Sequence, residues 1–326
     1  MSRTVLIGLV LATTLLLAAA GLGAAAAIYD QRAHVPAACD ERFGDNSPAG
    51  WTVRGIDSAR PGFDGAPYFV ADYREERIRS RDPGIELHAW WLPPRDGADA
   101  PSIIVVHGFG TCVRDPAVLA PAGMLHRLGY GVLLLDLRDH GASTIEDGRA
   151  AGGAEEYQDV LGAVDWLVSE GAEPGRVGLL GTSMGAAAAI IAAEQDPRIP
   201  AVWAESSYAD VVDLIADGLE AHGVPGVLAP IATVVAQVVA GDDITSPSML
   251  GGMQDLRGRR LSIVHGSLDG LVDPAHARVL GDAARAAGVE VEVWLVADAG
   301  HVDAVLVHPD EYERRLGRFF GAAFGR

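Results

Sequence analysis

The sequence predicts a domain of the α/β class, with a mostly parallel central sheet covered by helices on both faces. Short apolar runs of strand length alternate with longer helical patterns from Tyr68 to Arg326, as they do when a parallel sheet is buried on both faces. The chain of 326 residues is 49% hydrophobic and 21% charged, which supplies a core and excludes a disordered chain. This length is sufficient for one large domain or two small ones.

A long apolar segment precedes the α/β pattern. Val5–Ile28 contains no charged residue and is long enough to cross the hydrocarbon core of a bilayer as a helix. We therefore expect residues 1–30 to form an uncleaved transmembrane anchor, with Arg3 on the cytoplasmic side. The alanine run Ala24–Ala27 also offers a signal-peptidase site, so a cleaved signal segment is the alternative. Both interpretations place the remainder outside the cytoplasm, anchored to the cell membrane or secreted.

Residues 31–67 are rich in glycine, proline, alanine and aspartate and lack a sustained period. We expect a linker and an extension that packs on the domain through Trp51 and Val53. Cys39 and Cys112 are the two cysteines of the chain, too few for a disulfide scaffold and without the spacing of a zinc site. They could pair in an oxidising compartment, and the sequence leaves this open.

The charge balance limits the possible partners. The net charge is −19, from 44 acidic and 25 basic residues. A uniformly acidic protein is repelled by phosphate backbones, which argues against nucleic acid as a partner.

Eight strands and four long helices are predicted in the domain, residues 68–326. The strands are Tyr73–Ile78, Ile85–Leu92, Ser102–Val106, Gly131–Leu135, Val177–Leu180, Ala201–Ala204, Leu261–Val264 and Val291–Val296. The helices are Pro116–Leu128, Glu155–Ser169, Ala186–Glu194 and Glu311–Phe320. Residues 208–256 carry further helical runs that are too apolar for a surface linker. We interpret them as a small helical cap over the site, which favours an acyl or other apolar substrate; the alternative is ordinary core helices.

The segment Gly181-Thr-Ser-Met-Gly185 links an apolar strand to an alanine-rich helix and fits the pattern G-x-S-x-G. Its glycines permit a tight strand-to-helix turn that exposes Ser183 at a helix N-terminus, where developing negative charge is favoured. The alternative is a glycine-rich turn whose serine has no chemical role.

Two more polar residues follow later apolar strands. Asp269 comes after Leu261–Val264, and His301 comes after the last strand, where a general base would have the required reach. Asp273 competes with Asp269 for the role of the acid that orients this base. Ser183, Asp269 and His301 therefore all lie just beyond apolar strands, at the carboxyl edge where sites form in open α/β sheets.

The backbone N–H groups of Met184 and Phe109 are the predicted oxyanion donors, because acyl transfer needs two such donors near the nucleophile. His107 stands at a strand end before glycine, and we expect it to brace the loop rather than act as the base. A structural hydrogen-bonding cluster is expected after the fourth strand, formed by Asp136, Arg138 and His140.

These motifs resemble the α/β-hydrolase superfamily over roughly Tyr68 to Arg326. The matching segments are His107-Gly-Phe-Gly, Asp136-Leu-Arg-Asp-His-Gly, Gly181-Thr-Ser-Met-Gly, His265-Gly-Ser-Leu-Asp and Ala299-Gly-His301. The chain is most similar to membrane-anchored bacterial members grouped with the serine aminopeptidase-like and Bem46-like hydrolases. Pro274 follows Asp273, where similar proteins usually have Val-Pro directly, and a Gly-Gly-Gly oxyanion loop is absent from the sequence.

The resemblance implies an α/β-hydrolase fold and a serine hydrolase with Ser183 as nucleophile, His301 as base and Asp269 as its orienter. We expect an acyl-enzyme mechanism on carboxylic esters, lipid-like ones included, without metal or organic cofactor. The alternatives are a peptidase or amidase on the same triad, and a catalytically silent binding protein of this fold.

Overall fold

A computed structural model of the chain describes residues 23, 27, 29–36, 39–53, 63–95, 97, 99–239, 241 and 243–326. Within these ranges, no helix is both long enough and apolar enough to cross a membrane. The predicted span Val5–Ile28 lies, apart from residues 23 and 27, outside the described residues.

Eight strands of the described chain form one mixed sheet, in the order β1-β2-β4-β3-β5-β6-β7-β8. The pairs β1–β2 and β2–β4 are antiparallel, and every other neighbouring pair is parallel. The strands are β1 (Arg74–Arg79), β2 (Glu86–Leu92), β3 (Ser102–Val106), β4 (Gly131–Leu135), β5 (Val177–Thr182), β6 (Ala201–Glu205), β7 (Arg260–Gly266) and β8 (Glu290–Val296). The predicted mostly parallel sheet is confirmed.

The continuous apolar character of β3, β4, β5 and β6 follows from their position, because every residue of these strands is buried. The edge strand β1 consists of five charged residues and the buried Ile78, and most of the charged residues are exposed, which protects the sheet edge from further pairing. The central strands therefore carry the functional loops on a rigid base.

Helices cover both faces of the sheet. They are α1 (Cys39–Phe43), α2 (Pro116–Arg127), α3 (Tyr157–Ser169), α4 (Met184–Gln195), α5 (Val211–Ala221), α6 (Ala229–Val239), α7 (Met249–Gly252), α8 (Ala275–Ala287), α9 (Ala304–Val307) and α10 (Pro309–Phe324). One apolar core joins the sheet to α3, α4 and α8, and a second joins its other face to α2, α9 and α10. Along β3, Ile104 and Val106 belong to the first core, while Ile103 and Val105 belong to the second.

The extension before the domain packs on the second core. Trp51 is buried there beside Phe63, and Val53 is partly buried against the same cluster. Cys39 and Cys112 form a disulfide, with their Cα atoms 6.1 Å apart. The structure thus pairs the two cysteines that the sequence left open.

Residues 208–256 are mostly helical, comprising α5, α6, α7 and short 3-10 turns. Helix α5 contains no buried residue, and only part of α6 is buried. Helices α5 and α6 are therefore less buried than α4, and the helical cap stays a prediction. Asp217 of α5 accepts a hydrogen bond from His276 Nε2 at 3.0 Å, which links the segment to the start of α8.

Candidate active site

Ser183 occupies the turn between β5 and α4 with φ 53° and ψ −121°, a positive φ that is uncommon for a residue other than glycine. The flanking glycines make this turn possible. A Cβ at Gly181 would lie 2.3 Å from the oxygen of Gly185, and one at Gly185 would lie 2.2 Å from the oxygen of His107. Helix α4 begins at Met184, two residues before the predicted Ala186, so Ser183 directly precedes the helix.

His301, in the loop after β8, joins the serine to an aspartate. Its Nε2 lies 3.0 Å from Ser183 Oγ, and its Nδ1 lies 2.8 Å from Asp269 Oδ2. A carboxylate only accepts hydrogen bonds, so Nδ1 carries the proton and Nε2 can accept the proton of the serine hydroxyl. The structure thus brings together the three residues that the sequence predicts as nucleophile, base and orienting acid.

The carboxylate of Asp269 is shielded from water and surrounded by donors. Oδ1 accepts the amide N–H groups of Leu271 and Val272, each at 2.9 Å. Oδ2 accepts from His301 and lies 3.1 Å from His265 Nε2. Burial alone would raise the pKa of Asp269, but the hydrogen bonds from His265, His301 and Val272 outweigh it and lower the pKa below its usual range. Asp269 is therefore ionised wherever the protein is folded near neutral pH.

Asp273, the other candidate for the acid that orients His301, makes a different contact. Asp273 accepts the amide N–H of Ala275 at 2.7 Å, at the beginning of α8. This contact orients the first turn of the helix, as carboxylates at helix N-termini commonly do. Asp269 is the carboxylate that meets His301.

The backbone beside Ser183 comes from the loop after β3. A Cβ at Gly108 would lie 3.0 Å from the Cβ of Ser183, which puts Gly108, the residue before Phe109, against the serine. Met184 directly follows the serine as the first residue of α4. The predicted role of the Phe109 and Met184 amides as oxyanion donors stays a prediction.

His107 has structural contacts on both ring nitrogens. Nδ1 lies 2.8 Å from the carbonyl of Gly108, and Nε2 accepts the amide N–H of Leu137 at 3.1 Å. Burial lowers the pKa of His107, so the ring is neutral and connects the loops after β3 and β4.

The cluster after β4 braces the same loops. His140 accepts the amide N–H of Gly110 at 3.1 Å, and burial together with His107 lowers the pKa of His140 to about 3. Asp136 pairs with His88 and accepts the amide N–H of Val113. The remaining member, Arg138, forms ion pairs with Asp82, Glu146 and Asp159.

Sequence reasoning missed three residues around the triad. His265 Nε2 faces Asp269 Oδ2 and, at 3.0 Å, the carbonyl of Val272; both are acceptors, so Nε2 carries the proton. Glu205 accepts the amide N–H of Ala304 at 3.1 Å, and Ser206 Oγ accepts the amide N–H of Val302 at 3.1 Å. These last two contacts hold the chain directly after His301. The sequence signal that could have identified His265, Glu205 and Ser206 is their position at the ends of β6 and β7.

Within the described part of the chain, no group of three histidine, cysteine, aspartate or glutamate side chains has the arrangement of a metal site. The polar side chains at this edge of the sheet are instead paired with one another. Their chemistry is that of proton transfer between a serine, a histidine and a carboxylate.

Comparison with known proteins identifies the family. Residues 67–242, more than half of the chain, match the model of the X-Pro dipeptidyl-peptidase (S15) family. The chain belongs to that family. The expected α/β-hydrolase fold is thereby confirmed.

Three proteins illustrate how similar this chain is to known sequences and structures. An uncharacterized protein of Mycobacterium tuberculosis strain H37Rv is 34% identical over 128 residues, which are 38% of this chain and 42% of that protein. The match thus spans less than half of that relative. The Pyrococcus furiosus esterase Pf2001 is 24% identical, covering 78% of this chain and 91% of that one at a TM-score of 0.63. A puromycin-hydrolyzing peptidase of M. tuberculosis is 17% identical, covering 81% and 41% at a TM-score of 0.62. These two structures share the fold.

Proposed function

We propose that the chain is a serine hydrolase that cleaves carboxylic esters through an acyl-enzyme at Ser183. The observation that carries the proposal is the continuous hydrogen-bonded chain from Ser183 Oγ through His301 to Asp269, with distances of 3.0 and 2.8 Å. A serine hydroxyl becomes a strong nucleophile when a neighbouring base accepts its proton. The positive φ of Ser183 and the fixed Nδ1–H tautomer of His301 are what this chemistry requires.

The reaction follows from these contacts. Ser183 Oγ attacks the carbonyl carbon while His301 Nε2 takes its proton, and Asp269 stabilises the resulting imidazolium. The amides of Phe109 and Met184 are the proposed donors to the oxyanion. His301 then protonates the leaving alcohol, and water hydrolyses the acyl-enzyme by the same steps. No cofactor enters this scheme.

Apolar residues near the triad support an apolar acyl group. Phe109, which follows Gly108 in the loop after β3, is 40% exposed, and Leu268 and Leu271, on either side of Asp269, are 67% and 69% exposed. The substrate proposed here is thus a small-molecule ester with an apolar, lipid-like acyl chain. Within the proposed hydrolase domain, residues 68–326, the helices of 208–256 form its cap.

A peptidase or amidase is the second candidate, and membership of the S15 family favours it directly. The same triad cleaves both bonds, and the difference is the leaving group that His301 protonates. A catalytically silent binding protein is the third candidate, which the intact hydrogen-bonded chain at Ser183 argues against.

We propose an extracytoplasmic location, with residues 1–30 as a membrane anchor or, if cleaved, a signal segment. The pairing of Cys39 with Cys112 supports it, because disulfides persist mainly in oxidising compartments. The absence of charge from Val5–Ile28 is the second support.

The test is a panel of p-nitrophenyl esters of increasing chain length beside aminoacyl p-nitroanilides, with wild type and Ser183→Ala. We expect ester turnover that is lost in the variant. Anilide turnover lost in the variant would replace the esterase with the peptidase. No turnover of either class by folded wild type would overturn both and favour the binding protein.

A further inference from the structure

Helix α6 and the turn before it expose an apolar stripe. Val227 and Val238 are 82% and 75% exposed, and Ile231 and Val234 lie between them with more than half of their surface exposed. These four positions are separated by four, three and four residues, so they share one face of the helical segment. We call Val227, Ile231, Val234 and Val238 the α6 stripe. Leu228 adds further exposed apolar surface beside it.

The opposite face of α6 is fixed to the protein. Val235 and Ala236 are buried, and Ala236 belongs to an apolar cluster with Ala151, Ala154 and Ile244. The helix is therefore already packed on one side, and its exposed stripe is not needed by the core. An apolar surface of this kind marks an interaction site rather than a folding requirement.

The composition of the segment is as unusual as its exposure. Residues 221–241 contain no aspartate, glutamate, lysine or arginine, whereas about one residue in five of the whole chain is charged. A solvated surface helix would carry charges on its outer face. The outer face of α6 thus suits an environment without water.

The position of α6 indicates which environment this is. Tyr29, directly after the apolar segment Val5–Ile28, packs against the same cluster as Ala236. The residue that directly follows the proposed anchor therefore lies in the same cluster as the packed face of α6. If this anchor spans a bilayer, α6 stands at the bilayer surface.

We propose that the α6 stripe is a membrane-docking surface that lies in the interface of a zwitterionic phospholipid bilayer. The inference rests on the proposed membrane attachment and is independent of which bond the enzyme cleaves. A helix lying in the membrane interface buries its apolar face at the boundary between headgroups and acyl chains. Zwitterionic lipid suits the chain better than anionic lipid, since its net charge is −19 and Asp213 and Glu220 of neighbouring α5 are exposed.

This docking would bring the reaction site to the lipid. Helices α5 and α6 follow β6 at the carboxyl edge of the sheet, where Ser183 and His301 lie. The contact between Asp217 and His276 ties α5 to the loops of the same edge. A docked α6 therefore holds the mouth of the site close to acyl chains of the bilayer.

The test places a fluorescent reporter on the stripe of the full-length protein. Val234→Cys is labelled with the environment-sensitive dye NBD, and the protein is reconstituted in phosphatidylcholine vesicles with or without acyl-chain spin-labelled lipid. Glu170→Cys, exposed after α3 at the opposite edge of the sheet, is the matched control. Both native cysteines are in the disulfide, which leaves the introduced thiol as the labelling site.

We expect the dye at position 234 to emit at shorter wavelength and to be quenched at least twofold by the spin-labelled lipid, while the dye at position 170 does neither. Emission typical of water at position 234 would overturn the proposal, as would protein that does not associate with the vesicles. A shift without lipid quenching would also overturn it and assign the stripe to a second copy or another protein.

A second arm separates docking from catalysis. Ile231→Asp with Val234→Asp changes two exposed side chains, so we expect hydrolysis of a water-soluble ester to stay within twofold of wild type. Hydrolysis of the same ester group carried on a vesicle lipid should fall at least tenfold. Equal loss on both substrates would contradict docking. If wild type cleaves neither ester, the proposed function fails while the quenching result still decides the docking.

Discussion

Three buried carboxylates of this chain differ in the number of donors that they face. Asp269 faces four: the amides of Leu271 and Val272, and the rings of His265 and His301.

Glu205 faces two donors, the amide of Ala304 and the hydroxyl of Tyr312 at 2.6 Å. Glu194, near the end of α4, has no hydrogen-bond partner among the described residues on either oxygen.

The pKa values follow the same order. Burial raises the pKa of Glu194 to about 9, with a smaller contribution from Asp255. Burial raises that of Glu205 only to about 7, since Tyr312 and the amide of Ala304 oppose it. In Asp269 the hydrogen-bond donors outweigh the effect of burial, and the pKa is lowered. Hydrogen-bond donors, rather than burial alone, decide whether an interior carboxylate keeps its charge. Asp269, the carboxylate with the most donors, is the one that contacts His301.

The largest expected effect comes from removing the charge of Asp269. Asp269→Asn keeps the shape but lets its amide donate toward His301, which favours the wrong imidazole tautomer. We expect kcat to fall about 10⁴-fold, as in other serine hydrolase triads. Steady-state hydrolysis of the best substrate measures it. A loss of less than tenfold would show that His301 does not depend on this carboxylate.

A smaller loss is expected from reducing the number of donors to Asp269. His265→Leu removes one charge-assisted hydrogen bond, and a bond of this kind is worth about 1.5–3 kcal/mol. We expect kcat to fall about 10- to 100-fold with KM little changed.

His265→Gln is the matched variant, because its amide can still donate toward Asp269. It should recover most of the activity. His265→Gln and His265→Leu equally impaired would show that packing rather than donation matters. Fluorophosphonate titration of active sites normalises each rate to the folded fraction.

Glu205, whose pKa lies between those of Asp269 and Glu194, should affect stability more than catalysis. Glu205→Ala leaves the amide of Ala304 and the hydroxyl of Tyr312 without their buried acceptor, which we expect to lower the free energy of unfolding by about 1–3 kcal/mol. Glu205→Gln retains an acceptor for one of them and should cost less. Urea unfolding followed by tryptophan fluorescence compares them. Equal stability of Glu205→Ala and wild type would be the contrary result.

Glu194 should give an effect of similar size but opposite sign, a gain in stability. Its folded pKa is raised from 4.5, so its contribution to stability is complete below about pH 4.5 and is lost as the pH rises toward 9. Glu194→Met should therefore raise the free energy of unfolding at pH 8 by about 1–3 kcal/mol, and by less at pH 5. Glu194→Gln keeps a polar group and removes only the titration. A gain for either variant that does not change with pH would rule out the charge as its cause.

The features that depend on residues close together in the sequence could be predicted. The strands β3 to β6 could be predicted from their apolar runs, because each strand is buried along its length. The turn at Ser183 could be predicted from its glycines, because it has no room for larger neighbours. The position of His301 beyond the last strand was enough to propose it as the base.

Contacts between distant segments were not predictable from one sequence. Asp269 and Asp273 both follow β7, and only the fold shows that one meets His301 while the other meets the amide of Ala275. Glu194 sits in a predicted helix, but its burial depends on packing against Gly252, 58 residues further along. The pairing of Cys39 with Cys112 likewise joins segments 73 residues apart.

The most direct test of the account is the rate and site of labelling by a fluorophosphonate probe on the full-length protein. Intact-mass and peptide analysis should find one adduct, on Ser183, that is absent from Ser183→Ala. Labelling should be strongly slowed in Asp269→Asn and His301→Ala and unchanged in Glu194→Gln, since only the first two carry the charge and the base. Folded wild type that does not react, or that reacts at another serine, would contradict the account.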